Sequence, residues 1–362
     1  MTELYIGMMS GTSLDGVDAV VADCSVGSRL IAASHWPFAV DLRAELLALQ
    51  APTANEMHRS CVAANALAEQ YAHCVIALLD NAGIAACEIR AIGCHGQTVR
   101  HQPAHGYTVQ LVNAALIAEI TGIDVICDFR SRDIAAGGQG APLAPAFHAA
   151  RFSTTETARA IVNIGGIANV TSLPAQGGVK GFDCGPGNVL MDAWISAHRG
   201  LAYDADGAWA VSGTSSPQLL ERLLAHEFFS LLPPKSTGRE TFNIAWLRST
   251  LDGTERPEDV QATLLALTAR TITEAIAAHY AACQEIYVCG GGARNSALLS
   301  QLAALSAGCP VDTTDALGVA AEHVEALAFA WLAQRTLSAE AGNLPAVTGA
   351  RGPRVLGALY RA

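Results

Sequence analysis

Lysine is almost missing from this sequence. Of 22 basic residues in 362, only Lys180 and Lys235 are lysines, against 33 acidic residues and a formal net charge of −11. Nucleic-acid and membrane-surface binding call for a basic surplus, so neither is expected as a partner. The scarcity also removes the phosphate loop G-x-x-x-x-G-K-S/T, because neither lysine follows glycine at that spacing. G-x-G-x-x-G is absent as well, and so is the protein-kinase set of a strand-borne lysine with His-Arg-Asp. Any anion must be held by arginine, backbone N–H groups or a metal. The ten cysteines form no C-x-x-C pair and show no regular spacing. That argues against a disulfide framework or a zinc site and for a reducing, cytoplasmic setting. The start MTELYIGMMSGTS has no basic leader region, and charge interrupts the alanine-rich helical stretches, so neither a signal peptide nor a membrane span is expected. Aromatics, at 6%, are too few for stacking along an extended glycan.

What is present is apolar: 51% hydrophobic against 15% charged residues, enough for a large core. The length suits about two domains of ~100–200 residues each. Leu4–Met8 and Val17–Asp23 read as strands around the turn Ser10–Gly16. Glu56–Asn81 carries apolar residues at helical spacing and stops at Gly83. Ala91–Cys94 and Ile123–Cys127 read as strands and Asn113–Ile120 as a helix, before an aperiodic loop, Asp128–Pro142. The pattern then restarts: strands at Ala160–Ile164 and Ala168–Leu173, a third ending near Phe182-Asp183, and a helix over Asn188–His198. Gly200–Arg239 reads as polar and irregular around one helix, Pro217–His226. Helices at Val260–Ala282, Arg294–Leu305 and Glu322–Gln334, with a strand at Glu285–Cys289, complete an α/β pattern with a duplicated opening hairpin.

Three glycine-rich turns follow buried strands: Ser10–Gly16, Gly165-Gly166 and Gly290-Gly291-Gly292. Glycine lets a ligand approach successive N–H groups, which form anion-binding concavities. One such turn is usually only a hairpin; three with polar neighbours point to phosphate. With the lysine motifs absent, the remaining solution is a two-lobed nucleotide fold in which each lobe supplies one hairpin. Asp183 ends a strand before Gly185-Pro186-Gly187, placed either as a general base or as a turn or capping aspartate. Asp15 and Asp18 lie in or beside the first turn, as turn residues or as Mg²⁺ ligands through water. Arg130 and Arg132 follow a strand, where a guanidinium grips a carboxylate or pairs with Asp128 or Asp133. Gln97 and Thr98 sit at a strand end, within reach of sugar hydroxyls.

The stretch Gly7-Met8-Met9-Ser10-Gly11-Thr12-Ser13-Leu14-Asp15-Gly16-Val17-Asp18 resembles the opening motif of the anhydro-N-acetylmuramic acid kinases, of the actin, hexokinase and Hsp70 superfamily. The resemblance continues through His95–Thr98, Asp128–Asp133, Gly137–Leu143, Asn163–Asn169, Phe182–Asn188, Cys289–Asn295 and Thr348–Arg351, in family order. Cys184 stands where many relatives are expected to have threonine. The resemblance implies an α/β, two-lobed actin-like (ribonuclease H-like) fold with a central nucleotide cleft. Residues 1–140 would form the N-terminal lobe, with the tail 340–362 a candidate to pack there, and residues 141–339 the C-terminal lobe. It implies a cytoplasmic, homodimeric enzyme of peptidoglycan recycling. Using ATP, Mg²⁺ and water, this would turn 1,6-anhydro-N-acetylmuramic acid into N-acetylmuramic acid 6-phosphate.

By the same resemblance Asp183 is the catalytic base. Ser10, Gly11, Thr12, Ser13, Leu14, Asp15, Gly16, Val17, Asp18, Asn163, Gly165, Gly166, Gly290, Gly291, Gly292 and Asn295 contact ATP, the last turn on the adenosine side. Ser13, Gln97, Thr98 and Arg130 contact the sugar, Arg130 as the carboxylate anchor. Another sugar kinase of the superfamily is the alternative reading; an actin- or chaperone-like ATPase is a more distant one.

Overall fold

The computed structural model describes residues 2–11 and 14–362. They form two compact units, Met1–Arg151 with His323–Ala362, and Phe152–Glu322.

In the first unit, β1 (Leu4–Met9), β2 (Gly16–Asp23) and β3 (Arg29–Pro37) form an antiparallel meander, with Met9 opposite Asp18. β4 (Ile89–Cys94) runs parallel to β1 on its other side. β5 (Gln97–Gln102) and β6 (Tyr107–Leu111) form a separate ribbon, and β7 (Val125–Cys127) runs parallel to β4. Parallel neighbours need crossovers, and helices Glu56–Ala82 and Ala114–Thr121 supply them. The first buries Leu67, Tyr71, Val75 and Leu78 in one core with Ile6, Met8, Val17 and Ile92. By length and apolarity this helix is able to cross a membrane, which the sequence reading did not expect; half of its most apolar window is buried inside the protein, as in a core helix.

The second unit repeats the plan. β8 (Arg159–Ile164), β9 (Ile167–Leu173) and β10 (Lys180–Pro186) form the meander, β11 (Glu285–Cys289) runs parallel to β8, and β12 (Val311–Thr313) parallel to β11. The order β10-β9-β8-β11-β12 matches β3-β2-β1-β4-β7. Helix Pro257–His279 is buried along most of Val260–Thr273. Its Thr268 hydroxyl bonds the carbonyls of Pro186 (3.1 Å) and Gly187 (2.9 Å), fixing the end of β10.

The boundaries differ from the expected 140/141 and 339/340, falling at Arg151/Phe152 and Glu322/His323. The reason is close packing. Helix Val324–Leu337 lies on β1, β2 and β4. A Cβ at Gly7 would overlap the Ala326 carbonyl, and one at Gly93 the Phe329 carbonyl. Two glycines on adjacent strands thus admit the helix backbone to the first sheet. The tail follows it, and β13 (Ala358–Tyr360) pairs antiparallel with β7.

Candidate functional site

The turn after β1 is braced from below. The Ser10 hydroxyl lies 2.6 Å from the Tyr71 hydroxyl and donates to the Gly96 carbonyl (3.2 Å), which ties the turn to helix Glu56–Ala82 and to the corner after β4. Burial pushes the Tyr71 phenol up, so it stays protonated. Thr12 and Ser13 lie outside the described residues. Leu14 and Val17 are core side chains, 2% and 0% exposed, and offer a ligand only their main chain. Gly16 is glycine because a Cβ there would overlap the Trp36 carbonyl.

Asp15 is exposed. Asp18 is half-buried, with Oδ1 2.9 Å from His35 Nδ1; burial raises its pKa, His35 opposes this, and the nearby Asp15 charge adds to it. Among the described residues no group of three or more His, Cys, Asp or Glu is placed to hold a metal ion. Two neighbouring carboxylates nevertheless suit Mg²⁺, which binds through one or two carboxylates and keeps most ligands as water and phosphate oxygen.

Beside this turn, Gln97 is 1% exposed and donates Nε2 to the Gly11 carbonyl (3.2 Å). Its Oε1 is buried with no partner among the described residues. Thr98 is the next residue along β5, so its side chain takes the other face, where Oγ1 accepts from Gln110 (3.1 Å). The two therefore do not present their side chains together.

Arg130 donates to His95 Nε2 through Nε (3.2 Å) and Nη2 (2.8 Å), and to the Gly140 carbonyl through Nη1 (2.8 Å). Accepting these bonds makes His95 neutral, and burial followed by the Arg130 charge holds its pKa well below the usual value. The same two causes push His101 down to about 4. His101 Nδ1 meets Thr108 Oγ1 at 3.0 Å, while its buried Nε2 has no partner among the described residues. A cation bonded to an uncharged imidazole keeps its positive potential. Arg132 is exposed and makes no ion pair among the described residues. Asp133, one of its two expected partners, is fully buried and instead accepts from the Gly140 N–H (2.8 Å), Asn343 (2.6 Å) and Thr348 (2.8 Å). The tail motif thereby locks the loop that carries Arg130. Asp128, the other, caps the Ser131 N–H (3.2 Å).

In the second unit, Asp183 sits where the β9–β10 register slips. It pairs with Asn169, and Gly185 with Ala168, leaving Cys184 as the extra residue. Bulges re-aim side chains beside functional sites. Asp183 is 7% exposed; its N–H donates to the Lys235 carbonyl (3.1 Å), and Oδ2 accepts from the Thr237 N–H (2.9 Å). Lys235 Nζ donates to the Phe228 carbonyl (3.1 Å) and lies 4.5 Å from the Phe228 ring centre. Burial lowers the Lys235 pKa, against the pull of Cys184 and Asp183. One of the two lysines thus stands beside the carboxylate, where the sequence reading expected only backbone, metal and arginine. Its rarity was the available signal, hidden in a segment read as irregular.

Asn163 lies on β8, opposite Asn169. The carbonyls of Gly165 and Gly166 accept the N–H groups of Gly187 (2.9 Å), Asn188 (2.8 Å) and Val189 (3.1 Å), so this turn caps helix Val189–Arg199. Gly290 has φ 79°, and a Cβ there would overlap Asn163 Oδ1, so glycine is required. The expected helix from Arg294 begins later. Gly291–Arg294 is one 3-10 turn, Asn295 caps the Leu298 N–H (3.0 Å), and Asp206 takes the Ser296 N–H (2.9 Å). The Asp206 and Asn295 side chains thus take two of the N–H groups at this helix end. Gly290–Gly292 remains as a backbone turn.

A family model described as anhydro-N-acetylmuramic acid kinase matches residues 3–362. A protein of that name from Nitrosomonas europaea is 55% identical over 361 residues, covering 99% of each chain. Another, from Thiobacillus denitrificans, is 55% identical over 365 residues, covering 99% of this chain and 98% of its own. Among solved structures, component A of the (R)-2-hydroxyglutaryl-CoA dehydratase of Acidaminococcus fermentans is 12% identical with a TM-score of 0.49, covering 91% of this chain and 96% of its own.

Proposed function

The chain belongs to the anhydro-N-acetylmuramic acid kinase family, and from that premise we propose how its residues share the work of an ATP-dependent kinase that opens 1,6-anhydro-N-acetylmuramic acid and phosphorylates O6. Asp183 takes a proton from water as the water oxygen attacks C1. The C1–O6 bond breaks with its electron pair going to O6, and O6 takes the γ-phosphoryl group as ADP leaves. The observation that carries this reading is the placement of Asp183: a carboxylate at a bulged strand end, held by the Thr237 N–H with Lys235 nearby. A positioned base is typically worth ~10²–10⁴-fold in rate.

Arg130, bonded to the neutral His95 imidazole, is the anchor for the lactyl carboxylate, and Gln97 offers its unpartnered Oε1 to a sugar hydroxyl or amide donor. On the first unit the main chain of Ser10–Asp18 receives phosphate oxygens. On the second, Asn163 and the N–H groups of Gly165-Gly166 do so, with Gly290–Gly292 and Asn295 toward adenosine. Asp15 and Asp18 would hold Mg²⁺, which, when bound, neutralises phosphate charge. A cytoplasmic homodimer completes the reading, and rests on the family resemblance alone.

Incubation with the anhydro sugar, ATP and Mg²⁺ in ¹⁸O-water tests the chemistry. The label is expected on the C1 hydroxyl of the 6-phosphate product. An unlabelled product, or ADP release without ring opening, would refute it in favour of an ordinary hydroxyl kinase.

A further inference from the structure

Building on Asp183 as the base, we propose that Asn169 and Thr237 complete the seat of the attacking water. Asn163, Asn169 and Asp183 stand directly opposite one another across β8, β9 and β10, so their side chains share one face of the sheet. Asn169 Oδ1 is buried with no hydrogen-bond partner among the described residues, and so is Thr237 Oγ1. Buried polar atoms are nearly always satisfied, and two orphans beside one carboxylate mark a place where something polar belongs. The Thr237 N–H is 2.9 Å from Asp183 Oδ2. Within one residue the hydroxyl lies ~3 Å from the backbone nitrogen, which puts Oγ1 within ~6 Å of the carboxylate oxygen. Two hydrogen bonds of ~2.8 Å through a single water span that distance.

The stereochemistry closes around one molecule. A buried water makes about three hydrogen bonds. One O–H points to Asp183 and the other to Asn169 Oδ1, while the Thr237 hydroxyl donates to one lone pair. The second lone pair is left to attack C1. As the C–O bond forms, the proton passes to Asp183 and the C1–O6 electron pair moves to O6, which takes the phosphoryl group. Orientation comes from residues whose backbones are fixed in the ladder and on the carboxylate itself, as near-attack geometry demands.

The test is Thr237→Val, Thr237→Ser and Asn169→Ala, assayed for ADP release with the anhydro sugar at saturating ATP, alongside KM for ATP and a circular-dichroism melt. Losing one hydrogen bond to the reacting water lowers kcat by about 10–100-fold. Thr237→Val and Asn169→Ala should both show this with KM for ATP within about twofold, and Thr237→Ser should recover most of the rate. Parental turnover in Thr237→Val, or equal loss in Thr237→Ser and Thr237→Val, overturns the proposal. If Thr237→Val does not fold, Asn169→Ala decides by the same criterion, with parental turnover overturning the proposal. Asp183→Asn separates the two levels. Normal turnover there refutes the base itself, whereas an inactive Asp183→Asn beside an unimpaired Thr237→Val refutes only the water seat.

Discussion

Replacing Arg130 by methionine keeps the aliphatic bulk and removes a charge that meets His95 through two nitrogens and the Gly140 carbonyl through a third. If the guanidinium anchors the lactyl carboxylate, the lost charge-assisted contact is worth about 1.5–3 kcal/mol, or about 10–150-fold in sugar affinity. ATP affinity should stay within about twofold, a difference under 0.5 kcal/mol. The same change has a second readout. Arg130 is the second cause, after burial, of the low His101 pKa of about 4. Removing the cation should move that value upward, while burial keeps it below the ordinary 6.5. Calorimetric titration of each ligand and an NMR titration of the histidine ring protons check both. The reasoning is refuted if sugar affinity is unchanged, if both ligands lose affinity equally, or if His101 does not shift while the fold is intact.

Three further outcomes follow from the structure. Asp183→Asn should cut kcat by ~10²–10⁴-fold with ATP binding retained; near-normal turnover would dismiss Asp183 as the base. His148 is fully buried and held neutral, its pKa pushed down to about 3 by desolvation. The unfolded chain therefore binds a proton below pH 6.5 that the folded one refuses, and stability is full above that pH and lost as pH falls toward about 3. That amounts to about 2 kcal/mol between pH 7.5 and pH 5, which urea denaturation of the parent and of His148→Leu would show as a smaller pH dependence in the variant. Gly93→Ala should destabilise the first unit by about 1–3 kcal/mol as the helix at Phe329 is forced away; an unchanged melting temperature would contradict the close packing.

β1, β2, the second meander and the glycine turns of both were legible because buried strands and punctuating glycines leave strong local marks. β3 escaped because it alternates half-buried and exposed residues and breaks its apolar run with Arg29, Ser34 and His35. The placement of helix Val324–Leu337 was not readable either, since its partners Gly7 and Gly93 act through space and through what they lack. Of the proposed site, Asp183, Arg130 and Gln97 stood out in the sequence as polar residues at strand ends. Thr237, Lys235 and Asn169 were not, because their roles depend on a bulge and on a loop folding back from fifty residues away. Thr98 was read with Gln97 as a strand-end polar residue, and what the sequence did not show is that its hydroxyl accepts from Gln110 on the other face of the strand.

The second unit is one uninterrupted stretch, while the first needs both ends of the chain. On the ribosome, Phe152–Glu322 has every contact partner of its own unit in hand before residues 323–362 emerge. The first sheet must wait meanwhile, with the face of Gly7 and Gly93 uncovered until Val324–Leu337 arrives. Domains generally fold as units in order of synthesis; here the first unit's contacts are the last to become complete. A premature stop after Glu322 would release a second unit complete in its own contacts joined to an aggregation-prone, half-covered sheet, whereas loss of β13 alone, three exposed residues at an edge, would leave that face closed.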